Sequence, residues 1–162
     1  MRKGVTLASS RYTLLSPVGQ LVIKTVRGWL DYHRLPDGLE PHWTAPLTAA
    51  GLNDSCSRVF DMLLRMIIGA SNGAFQSSPL EQEAINFDEM VLLGALVAAQ
   101  QQDQYSAAAL LKRWFRPDQL SLAWTHASMI VMVFDRAGFD FSDFSLRPGS
   151  GSESAANQHR LH

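Results

Sequence analysis

The sequence is poor in several things, and each shortage excludes something. Cysteine occurs once, at Cys56. No disulfide can form within the chain, and a zinc site built on paired thiolates is excluded. Nothing here calls for an oxidising compartment. Charged residues make up 18% of the chain, below the roughly 25% usual for globular domains. Fourteen Lys and Arg stand against 15 Asp and Glu, a net charge of −1. That balance lacks the long-range pull on nucleic acid that a basic domain exerts. The basic start Met1-Arg2-Lys3 is followed by no apolar run of signal-peptide length. The longest apolar or small stretch, Met90 to Ala99, is about half a bilayer crossing. The expectation is a cytoplasmic protein without a membrane segment.

Recognisable chemistry is scarce too. The chain contains no dinucleotide-binding glycine motif, no phosphate loop, no nucleophile elbow, no metalloprotease helix and no calcium loop. Glu-x-x-His pairs of the di-iron type are missing. No metal, no cofactor and no catalytic residue is expected.

What is there describes a helical object. The 162 residues are 46% apolar, enough for one domain with its own core. Ser16-Pro17 opens a helix over 17–34, with Val18, Leu21, Val22, Val26, Trp29 and Leu30 at helical spacing. Leu35-Pro36-Asp37-Gly38 ends it as a turn. Thr44-Ala45-Pro46 starts a short helix that stops at Gly51. Asn53 caps a helix over 54–70 whose only polar line is Asp54, Arg58, Asp61 and Arg65, an ion-pair ladder in prospect. Asn72-Gly73 reads as turn chemistry. Ser78-Pro79-Leu80-Glu81 and Asn86-Phe87-Asp88-Glu89 are two successive caps; either a short helix precedes a longer one or 79–85 is irregular. Helices over 87–101, 104–115 and 118–136 follow, the last closed by Gly138. The 54–70 and 87–101 helices are apolar around most of their circumference, so both should be wrapped by other helices.

The predicted fold is therefore all-α, a single bundle of about five helices over 16–148. Residues 1–15 precede it as an extension or hairpin, and residues 149–162 follow as a disordered tail. Phe139, Phe141 and Phe144 should fold back on the bundle. Charge is segregated along the chain. Residues 1–34 carry six cations and one acid, whereas 35–103 carry nine acids and two cations. A basic first helix lying against acidic helix starts is the economical explanation; a dipolar surface for a partner is the other.

Few residues stand out as site candidates. His126 mid-helix, the loop pair His42-Trp43, and Cys56 in a first helical turn are the candidates for ligand contact. A hydrogen-bonded structural histidine and a small buried thiol are the blander readings of His126 and Cys56. Lys112, Arg113 and Arg116 surround Trp114 and Phe115 in a basic-aromatic patch that suits a weak nucleic-acid contact. Those three cations and Phe139, Phe141 and Phe144 are the candidates for meeting a partner. The best overall reading is a non-enzymatic interaction or regulatory module, most simply a homodimer. The alternatives are a small-ligand binder or enzyme with a pocket between helices, and a weak nucleic-acid binder through 112–117.

Overall fold

The computed structural model describes residues 15–34, 42–71 and 74–141. They form six α-helices and two 3-10 turns, with no strand among the described residues. The all-α reading holds. The extension before residue 15, the turn at 35–38, Asn72-Gly73, Phe144 and the tail at 149–162 lie outside the described residues.

Helix α1 spans Pro17–Arg34. The Ser16 hydroxyl accepts the Gly19 N–H at 3.2 Å, and proline fills the position whose missing donor costs nothing. A 3-10 turn over His42–Thr44 runs into α2, Ala45–Ala49, with no cap hydrogen bond from the Thr44 side chain. Gly51 closes α2 at φ +88°, the left-handed conformation that a glycine adopts without a Cβ penalty.

Helix α3 spans Asp54–Ser71, and the Asn53 side chain accepts the Cys56 N–H at 3.2 Å. Its environment departs from expectation. Cys56, Val59, Phe60, Leu63, Leu64 and Ile67 are buried on one face, which packs on the last helix. Met62 is exposed, and Met66 and Ile68 are only partly covered. Long apolar side chains at the margin of a buried face commonly stay at the surface, so α3 is an ordinary one-sided helix. The ladder also shrinks. Among the described residues its one rung is Asp61–Arg65 at 2.8 Å, and Asp61 also accepts the Trp29 indole N–H at 2.8 Å.

Residues 79–85 are irregular, the second of the two alternatives. Helix α4, Phe87–Gln100, begins at Asn86 with both halves of the capping box formed by Asn86 and Glu89. Ten of its fourteen residues are buried, and it packs on α1 and on both helices that follow it. It is the wrapped central helix that the sequence calls for.

Helix α5, Gln104–Leu111, is shorter than the expected 104–115. The chain leaves it so that Trp114 and Phe115 turn into the core. After a 3-10 turn over Pro117–Gln119, helix α6 runs from Leu120 to Arg136, and Gly138 follows at φ +91°. The Phe139 N–H then reaches the Phe134 carbonyl at 2.9 Å. Phe141 is buried, its ring 5.5 Å from that of Phe134. The predicted fold-back is present as far as residue 141. Among the described residues no helix is long and apolar enough to cross a membrane.

Candidate functional site

Two clusters of polar groups among the described residues are built in opposite ways. The first is the start of α4. Arg27 on α1 is 1% exposed and Glu89 is fully buried. The guanidinium grips the carboxylate with both prongs, Nε to Oε2 at 2.7 Å and Nη2 to Oε1 at 2.9 Å. Nη1 also reaches the Gln82 carbonyl at 2.7 Å and Nη2 the Ala84 carbonyl at 2.9 Å. Glu89 further accepts the Ser77 hydroxyl and the N–H groups of Ser78 and Asn86. Asp88 beside it accepts the Gln76 N–H, the Arg113 guanidinium and the Trp114 indole. This pins the irregular 74–86 segment across the positive end of the α4 dipole. It also realises the predicted meeting of a basic first helix with an acidic helix start. With every Arg27 nitrogen and every Glu89 and Asp88 carboxylate oxygen engaged, it is a structural clamp.

The second place is a cleft between the α4–α5 corner and α6, with a volume of about 530 Å³. Gln102 takes the left-handed conformation there, φ 56°. It thereby ends α4 and turns the chain into α5, bringing Gln100 opposite Ser128 and Asp135 on α6. Trp124 and Met132 form apolar walls. The Gln100 amide orientation is fixed, because its nitrogen donates to Asp140 Oδ1 at 2.8 Å. Its oxygen is buried without a partner, and so is the Ser128 hydroxyl. A buried acceptor left unmatched costs about 1–3 kcal/mol. Two in one cleft mark it as a place where something else completes the pairing. Neither Gln100 nor Ser128 stands out in the sequence, because a glutamine at a helix exit and a serine inside a helix carry no local signal.

Next to the cleft, α6 turns an apolar stripe to solvent. Leu122 is 55% exposed, Met129 39% and Met132 49%. The spacing, with exposed Thr125 between, places them along one side of the helix.

The residues singled out from sequence fall elsewhere. Trp43 is buried, with its backbone against Gly28, where an added Cβ would meet Trp43 Cα and Cβ at 3.4 Å. It is a core residue. His42 opens the 3-10 turn beside it. His126 is buried, its Nδ1 3.0 Å from the Leu122 carbonyl one turn back. Cys56 is buried, and burial pushes its thiol up from 9.0 to about 12. No hydrogen bond or ring contact joins Trp43, Cys56 and His126 among the described residues; Trp43 instead edges a surface cavity with Ser57, Arg58, Asp61 and Met62. No group of three His, Cys, Asp or Glu among the described residues is placed to hold a metal ion.

The partner candidates divide as well. Phe141 is part of the core, and Phe139 is partly buried with its ring 5.8 Å from Phe134. Arg113 is committed to Asp88 and lies over the Phe87 ring, 4.6 Å from its centroid. Arg116 pairs with Asp118 at 3.2 Å. Lys112 alone of the three has no ion pair among the described residues, and the side chains of Arg113 and Arg116 stay exposed. No family model, curated protein or solved structure matches this chain.

Proposed function

We propose that this chain is a non-enzymatic interaction module that pairs with a second copy of itself through the outer face of α6. The reading rests on the stripe of Leu122, Met129 and Met132, three large apolar side chains exposed on one side of a regular helix. Single exposed apolar residues are ordinary, whereas an aligned set marks a contact surface. The stripe is also self-complementary. Asp118 precedes it and Arg136 ends it, both exposed. An antiparallel pairing about a two-fold axis sets Leu122 against Met132, Thr125 against Met129, and Asp118 against Arg136 of the other copy. Hydrogen bonding from Arg116 holds the Asp118 carboxyl below its usual range. Such a module works in the cytoplasm, where one buried thiol needs no oxidising surroundings.

Light scattering across the micromolar range tests this. The expected mass is twice the 17.9 kDa of one chain. Met129→Glu should return the mass to that of one chain with an unchanged helical circular-dichroism spectrum, since Met129 is exposed. A wild-type mass of one chain throughout rejects self-association.

A further inference from the structure

The cleft beside α6 offers chemistry that self-association does not use. Its unmatched groups are all acceptors or able to accept. The Gln100 oxygen and the Ser128 hydroxyl are buried without partners. Asp135 on the same lining is exposed and has no ion pair among the described residues. No Lys or Arg lines the cleft. We propose that the cleft binds a guanidinium or alkylammonium group carried on a short apolar stem.

An anion would meet Asp135 and no cation. An apolar ligand would leave both buried oxygens unpaired, at the cost already described. A cationic donor supplies several N–H groups at once. It can pair with Asp135 at the mouth, and a small shift of the lining side chains would open Gln100 Oε1 and Ser128 Oγ, both covered in the empty cleft, to its other donors. Gln100 cannot escape this role by rotating its amide, because Asp140 holds the nitrogen. The stem would lie along Trp124 and Met132, and an indole face attracts a cation. The volume of about 530 Å³ sits within the roughly 300–1,000 Å³ of small-ligand sites. None of the three acceptors belongs to the apolar stripe, although the cleft and the stripe share Met132.

Two sources can present this chemistry: a free small amine, or an Arg or Lys side chain on another protein. The test is an NMR titration of the full chain with three probes. These are propylguanidinium, the neutral propylurea of similar shape, and a blocked Ala-Arg-Ala peptide. Saturable shifts of the Trp124 indole and Gln100 side-chain amide signals are expected with propylguanidinium. Propylurea should bind roughly tenfold or more weakly, as loss of a charge-assisted bond implies. Asp135→Asn and Gln100→Leu should each weaken propylguanidinium by a similar factor. Asp135 is at the surface, so that variant should melt as the wild type does. Tighter binding of the peptide assigns the cation to a partner protein; tighter binding of propylguanidinium assigns it to a free ligand. Absence of saturable shifts with both cationic probes, or equal binding of propylurea, overturns the proposal.

Discussion

The clamp at the start of α4 and the cleft at its end bury comparable polar groups and resolve them differently. At the start, Arg27 and Glu89 are nearly or wholly removed from water, yet each guanidinium nitrogen and each carboxylate oxygen has a partner. At the end, Gln100 and Ser128 each keep a buried oxygen with none. A buried pair with all its bonds made fixes structure and leaves little to offer a ligand. An incomplete set gives up some stability and keeps a site open. The contrast separates what holds this fold from what the fold can bind.

The sharpest way to break that comparison is at the clamp. Arg27→Met leaves Glu89 buried without its counter-charge, and urea unfolding should show a loss of about 3–5 kcal/mol. Restoring neutrality with Arg27→Met and Glu89→Leu together should recover part of it. A loss under about 1 kcal/mol for the single change would place the clamp at the solvated surface instead. Next in size is the cap. Asn86→Ala removes the acceptor of the Glu89 N–H bond at 2.8 Å, and should cost about 1 kcal/mol in the same assay.

The cleft should respond in the other direction. Ser128→Ala deletes a buried hydroxyl that has no partner. The fold should be unchanged or gain a few tenths of a kcal/mol, read as an equal or higher melting temperature. A clear loss of stability would mean the hydroxyl is already paired, which would close the cleft as a site.

The smallest effect is chemical. The Cys56 thiol, pushed up to about 12 by burial, should resist alkylation in the native protein and react fully once unfolded. The raised value also sets a sign. Its unfolded counterpart ionises near 9.0, so folding holds a proton that the unfolded chain releases. Cys56 should leave stability untouched below pH 9 and erode it as the pH climbs toward about 12. Rapid native labelling at pH 8 would contradict its buried position.

Much of the architecture was legible because local rules govern it. The Asn86-to-Glu89 capping box, the serine and asparagine caps of α1 and α3, and the unbroken apolar run of α4 could each be read within a few residues. The clamp could not. Arg27 and Glu89 are 62 residues apart, and Arg27 sits among the polar positions of α1. Only the tertiary course of residues 74–86 covers it. For α3, the count of apolar residues overstated burial, because composition does not say which thioethers rest at a margin. The cleft was illegible for a related reason. Gln100-Gln101-Gln102 reads as a polar helix exit, and Ser128 as filler within an apolar helix. Their significance arises where Gln102 turns the chain and brings the two helices face to face.

One consequence follows from the position of α4. Leu92, Leu93, Ala95 and Leu96 are at most 1% exposed, and their helix is enclosed by α1, α5 and α6 of the same molecule. No partial opening can bare the middle of that helix without dismantling its neighbours. Its backbone protons should therefore trade with deuterium only when the whole chain unfolds. Their exchange rate then serves as a clock for global unfolding, and the frayed ends of shorter α5 should run far ahead of it.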